Sequence, residues 1–146
     1  MKRCVWKILV ICLCCIAQGV GAQTGKIYTT DMGLSSSLIN QIFQDKQGFV
    51  WVATEYGLNK FDGLRFTNYR HVSADSSSIK NNYVRTLFED SRCNLLIGCI
   101  DGLMKYDRET DTFLEIPMFR AGKRVFPHIT QMQELHNGEI WMTTTG

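Results

Sequence analysis

Four carboxylates, Glu55, Glu89, Asp101 and Glu139, are the side chains with which this chain could cleave a glycosidic bond. That chemistry needs two carboxyl groups facing each other across the bond, and nothing in their spacing brings two together. Asp45 and Asp90 precede turns and could ligate a metal. Capping of those turns, with the carboxylate accepting backbone N–H groups, is the simpler role. Asp62 and Asp107 read the same way. His71, His128 and His136 are irregularly spaced and form no zinc motif. Cys93 and Cys99 flank Asn94–Gly98, which reads as a strand. Such a strand spans about 20 Å, beyond the reach of a disulfide. Trp51 and Trp141 could stack on sugar rings. Their matched positions on apolar strands place them in a core instead. Nucleophile elbow, phosphate loop and dinucleotide fingerprint are all absent. The sequence therefore assigns no catalytic, cofactor-binding or metal-binding residue.

These side chains must be carried by something, and its first part is an address. Lys2, Arg3 and Lys7 form a basic start, Ile8–Ala17 is an unbroken apolar stretch, and Val20 and Ala22 have the spacing of a cleavage site. Residues 1–22 are expected to be an export signal. The chain has 146 residues, a net charge of +2 and six cysteines. Without residues 1–22 it keeps 13 basic residues against 14 acidic ones, a net charge of −1, and only Cys93 and Cys99. Neither a nucleic-acid partner nor a disulfide framework is then indicated. A hydrophobic fraction of 45% and a charged fraction of 21% are those of a folded domain.

The remainder repeats with a period of 45 residues. Ile42-Phe43-Gln44-Asp45 falls on Leu87-Phe88-Glu89-Asp90, and Gly57-Leu58-Asn59-Lys60-Phe61-Asp62 falls on Gly102-Leu103-Met104-Lys105-Tyr106-Asp107. A shift of 90 brings Ile39 onto Ile129, Gly48 onto Gly138, Trp51 onto Trp141 and Thr54 onto Thr144. Phe49–Ala53, Leu95–Ile97 and Ile140–Met142 read as strands covered on both faces. Lys46-Gln47-Gly48 is a turn before the first of them, and Gly57 and Gly102 mark a second turn after it. Leu58–Phe61 and Leu64–Phe66 are expected to pair across a two-residue turn, Asp62-Gly63, with a turn two residues longer in the second copy. The stretch around Ile39, Ile42 and Phe43 also fits a helical stripe, but its shortness and the turn after it favour a strand.

Four short strands per repeat at this period describe a propeller blade. The expected fold is all-β: a partial β-propeller of about 2.75 four-stranded blades behind a signal peptide. Its divisions are 1–22 signal peptide, 23–33 an N-terminal strand closing a blade outside this segment, 34–77 blade 1, 78–122 blade 2 and 123–146 an incomplete blade 3. A ring of seven such blades would need about 315 residues, so the segment reads as the start of a longer frame.

The series Leu34-Ser35-Ser36-Ser37, Ile42-Phe43-Gln44-Asp45, Gly48-Phe49-Val50-Trp51-Val52-Ala53-Thr54, Gly57-Leu58 and Phe61-Asp62-Gly63 resembles the two-component regulator propeller repeat. The second copy departs from it at Cys93 and Leu96, and the third at Leu135. The resemblance implies the periplasmic sensor of a two-component histidine kinase of Bacteroidetes type, anchored by a downstream membrane span. It also implies a homodimer, an oligosaccharide ligand, and binding rather than catalysis in this segment. Recognition residues usually lie on loops. Glu55 and Tyr56 share their loop position with Asp101, and Tyr69 and His71 lie near the next connection. These five are the candidate ligand contacts. Asp45, Gly48, Trp51, Gly57, Asp62, Asp90, Gly102, Asp107, Gly138 and Trp141 are the structural marks of the repeat. A secreted propeller enzyme acting on polysaccharide, and a truncated remnant without function, are the rival readings.

Overall fold

The computed structural model describes residues 25–145, so the expected export signal lies outside the described residues. Among the described residues, twelve strands form four small antiparallel sheets in a propeller-like arrangement. The first sheet holds β1 (Ile39–Gln44), β2 (Val50–Thr54), β3 (Gly57–Phe61) and β4 (Phe66–Tyr69), side by side in chain order. The second holds β5 (Val84–Glu89), β6 (Leu95–Cys99), β7 (Gly102–Asp107) and β8 (Thr112–Ile116) in the same order. A small hairpin follows, β9 (Met118–Arg120) with β10 (Lys123–Val125), and then the pair β11 (His128–Glu134) and β12 (Ile140–Thr145). The segment around Ile39 that also fitted a helix is a strand.

Side-chain alternation explains how the sheets stack. On β6, Leu95, Ile97 and Cys99 join the core shared with the first sheet, and Leu96 joins the core shared with β11–β12. Successive strand residues point to opposite faces, and here both faces are covered. All five residues of β6 are accordingly buried. Trp51 is fully buried against the second sheet, with the Tyr106 ring edge-on at 4.8 Å. Gly98 is where β11 comes closest. A Cβ there would meet Thr86 Cγ2 at 2.6 Å and Ile129 at 3.1 Å.

Polar contacts between sheets recur 45 residues apart. The Lys46 backbone N–H donates to Glu89 Oε2 at 2.7 Å, and the Ser91 N–H donates to Glu134 Oε2 at 2.7 Å. Arg108 reaches back from the β7–β8 turn to Asp45 Oδ2 at 2.8 Å and Glu89 Oε1 at 2.9 Å. Each first strand also carries an irregularity in its pairing, at Ile39/Gln41, Val84/Thr86 and Ile129/Gln131.

Several expectations need correction. Phe61 pairs with Phe66, so β3 and β4 are joined by four residues, Asp62–Arg65, and Leu64 is exposed loop rather than strand. Asp62 Oδ1 accepts from both the Leu64 and Arg65 N–H groups, which favours the wider turn. The second copy has the same four-residue turn, 108–111. Its two extra residues add one ladder pair, Asp107 with Thr112. Residues 25–29 form no strand here, and Thr30–Met32 is a single 3-10 turn. Tyr28 packs edge-on against Phe61 and Phe66. The boundary at 122 falls on the tip of the β9–β10 hairpin, which the repeat did not reveal. Trp141 is 64% exposed rather than core. It occupies the position of Trp51, and among the described residues no further sheet stands beyond β11–β12 to cover it.

Candidate functional site

The first strands β1, β5 and β11 border an open cleft of about 870 Å³. Its polar lining comes from Asn40, Gln41, Arg85, Thr86, Thr130 and Gln131, and its apolar lining includes Phe43, Met132 and Trp141. Arg85 brings the single full charge among the lining residues. The amides are held by the strand edges they border. Gln41 Nε2 donates to the Leu87 carbonyl at 3.1 Å, and the Leu87 N–H donates to Gln41 Oε1 at 2.7 Å. Asn40 Nδ2 donates to the Val84 carbonyl at 2.8 Å. Arg85 stays partly free, with one contact to Asn40 Oδ1 at 3.4 Å.

Loops at the start of these strands form a rim. The Tyr83 hydroxyl donates to Glu55 Oε1 at 3.0 Å, and its ring meets the His128 ring edge-on at 6.4 Å. Asn81 Nδ2 donates to Asp101 Oδ2 at 3.2 Å. Leu38, Tyr83 and His128 stand 45 residues apart, so each enters the rim just where a first strand begins. Asp101 Oδ1 and His128 Nε2 are enclosed and have no hydrogen-bond partner among the described residues. Enclosed polar atoms without partners are uncommon and mark places where a ligand or ion can bind. Cys99 lies just below. Burial, with the charge of Asp101, pushes its thiol up to about 12, so it is an inert thiol.

The expected contact residues divide. Glu55 and Asp101 lie on this rim, and Tyr56 beside them is 58% exposed. Tyr69 turns inward. Its ring lies 6.0 Å from Trp51 and 5.1 Å from Phe113, and its hydroxyl donates to Asp111 Oδ1 at 2.6 Å. Burial, then those hydrogen bonds, raise its pKa. The His71 ring is taken up locally, with Nδ1 3.0 Å from the Ile79 carbonyl oxygen. The sequence reading missed Asn40, Gln41, Arg85 and Tyr83. The signal was available, because positions 40, 85 and 130 are polar at one place in the repeat, on the stretch that also fitted a helical stripe.

The structural marks behave as turn and core residues. Asp45 Oδ1 accepts from the Gln47 and Phe49 N–H groups, and Oδ2 accepts from Trp51 Nε1 at 2.9 Å. Burial pushes its carboxyl up, but the bonds from Trp51, Arg108 and Phe49 outweigh this and hold it below the usual value. Asp90 repeats the cap with the Arg92 and Asn94 N–H groups. The third copy has Leu135 there and loses that cap. Gly48, Cys93 and Gly138 hold one turn position with φ of 92°, 65° and 82°. Gly57 and Gly102 also lie at positive φ. The four carboxylates considered for hydrolysis do not converge as a pair. Glu89 is held by Arg108 and the Lys46 N–H, whereas Glu55 and Asp101 have separate partners on the rim. Among the described residues no three His, Cys, Asp or Glu side chains group as metal ligands would.

Residues 33–56 match the family model described as "Two component regulator propeller". Over 54 residues, 37% of this chain, the sequence is 52% identical to Histidine kinase P4 of Formosa agariphila, of which it spans 4%. Among solved structures, 80% of the chain superimposes on the extracellular domain of a protein assigned as a hybrid two component system from B. thetaiotaomicron, with a TM-score of 0.69 and 30% identity. The match spans 17% of that structure. The extracellular domain of a second B. thetaiotaomicron protein, assigned as a one component system, shares the fold over 73% of this chain and 15% of its own, with a TM-score of 0.64 and 23% identity. In its repeat and its fold, the chain resembles the propeller-like extracellular sensor regions of Bacteroidetes two-component histidine kinases.

Proposed function

We propose that this chain is the exported, ligand-sensing start of a two-component histidine kinase, and that it binds oligosaccharide in the cleft along its first strands. On this reading the repeat is a propeller of 45-residue blades, with blade 1 at 34–77, blade 2 from 78 through the β9–β10 hairpin and a third begun at β11. Residues 1–22 direct export to the periplasm, and the parent works as a membrane-anchored homodimer.

The observation that carries the reading is the cleft itself. Three first strands, one from each successive sheet, supply amides and hydroxyls to one open groove. Amide and hydroxyl groups donate and accept as sugar hydroxyls require. A ligand spanning these strands bridges successive sheets at their first strands. It then favours one relative placement of the sheets over another, which is how binding energy becomes a signal. The carboxylate arrangement favours sensing over the secreted-enzyme reading, because no acid–base pair faces the cleft.

Calorimetric titration tests this directly. Neutral or acidic hexasaccharides should bind the chain, and Arg85→Ala, at the one charged residue of the lining, should weaken binding about tenfold. Binding that is unchanged in Arg85→Ala places the ligand elsewhere.

A further inference from the structure

We infer that the β9–β10 hairpin is the charge-reading part of the rim, so that the saccharide sensed carries carboxylate or sulfate groups. The inference rests on the sensing reading above and adds the charge of what is sensed.

Residues 117–133 contain Arg120, Lys123, Arg124 and His128 and no acidic residue. Arg120 and Lys123 face each other across the ladder. Like charges in directly opposite positions destabilise a strand pair, and among the described residues neither meets a carboxylate. The neighbouring cations do not relieve the excess. Arg124 and Lys80 both turn to one carboxylate, Glu115, with Arg124 at 2.7 Å. Arg124 and Lys80 thus share one anion, and Arg120 and Lys123 have none among the described residues.

The turn at the tip is also unfavourable in isolation. Ala121 and Gly122 adopt φ of 49° and 75°. A two-residue hairpin turn with both φ positive asks for glycine or asparagine, and alanine there is strained by its Cβ. The segment therefore keeps an awkward turn that holds an unscreened cation pair outward. Local rules broken without compensation inside the chain are expected where a binding partner supplies the compensation.

Placement connects the pair to the cleft. The hairpin leads through Phe126 and Pro127 into His128, at the end where Tyr83 and Glu55 form the rim. Opposite ladder positions hold their Cβ atoms about 5 Å apart, close enough for two cationic heads to grip one carboxylate or sulfate. Exposed Phe119, next to Arg120 and directly opposite Arg124, adds an apolar surface for the adjoining ring.

The test is calorimetric titration of the chain with a galacturonate hexasaccharide, a heparin-derived hexasaccharide and neutral maltohexaose, at low salt and at about 0.2 M salt. The acidic sugars should bind at least about tenfold tighter than the neutral one and weaken with salt. The double variant Arg120→Gln with Lys123→Gln should lose that margin while keeping the thermal midpoint of the parent. Ala121→Gly should keep the binding and raise the midpoint. Equal binding of neutral and acidic sugars, or an unchanged double variant, overturns the charge assignment and leaves the sensing reading standing. Binding to phosphatidylglycerol vesicles with no binding to acidic sugars overturns it in favour of a membrane contact. Failure of every sugar, charged and neutral, removes the sensing reading and this inference with it.

Discussion

At the residue scale, one turn position measures how far the repeat tolerates departure. Gly48, Cys93 and Gly138 share it, and all three lie at positive φ. Only glycine adopts that conformation without steric cost. Cys93→Gly should therefore stabilise the chain by about 1 kcal/mol, read as a higher urea midpoint at unchanged slope. The two tryptophans offer the opposite contrast. Trp51→Ala should cost about 3–5 kcal/mol, because it empties a filled site. Trp141→Ala should change stability by less than about 0.5 kcal/mol, as an exposed residue does. Asp45 gives the pH dependence. Its folded pKa is held below the usual 3.8 by Trp51, Arg108 and the Phe49 N–H, against the push of burial. Its contribution is therefore complete above pH 3.8 and is lost as pH falls through the lower folded value. Asp45→Asn should flatten acid unfolding below pH 4 while lowering the midpoint at neutral pH. Sequence spacing revealed the turn cap but could not reveal Arg108. Arg108 is 63 positions away, and the repeat sets it opposite Gly63, which has no side chain to hint at the contact.

At the element scale, the sheets are registered by contacts at matching positions. Glu89 and Glu134 each accept a turn N–H from the preceding sheet, and Glu89 also carries Arg108. Glu89→Ala leaves a partly buried guanidinium with one carboxylate fewer and should cost about 2 kcal/mol. Glu134→Ala, at a more open contact, should cost about 1 kcal/mol. Gly98→Ala tests how closely β11 lies on β6, because the added methyl meets Thr86 and Ile129. It should cost about 1–3 kcal/mol, with amide exchange accelerated first in β11 and β12. The strands were legible because an apolar run between turn residues has few other solutions. Their ends were less so. Asp62-Gly63 looked like a complete turn, but Asp62 accepts two backbone N–H groups beyond the glycine and opens the turn to four residues. The β9–β10 hairpin has no counterpart in the first copy, so a reading by repetition passed over it.

At the scale of the whole molecule, the stacking of sheets was written in the 45-residue register, and the cleft was only half written there. The register showed which residues recur and left open which edges face one another. Asn40, Gln41 and Arg85 become site residues because three first strands converge, a tertiary fact that no local pattern encodes. The residues chosen from sequence, Glu55 and Asp101, contact Tyr83 and Asn81 just ahead of β5 and do not line the cleft, while Tyr69 packs on the core between the first two sheets. The central claim is that ligand is held along the first strands of successive sheets. Amide hydrogen exchange of the chain, with and without the hexasaccharide that binds it most tightly, tests that claim most directly. The account predicts slowed exchange in β1, β5 and β11 and in the rim around Tyr83 and Asp101, with β4 and β8 unchanged. Slowing confined to the outer strands β4 and β8, or none in the first strands, would contradict it.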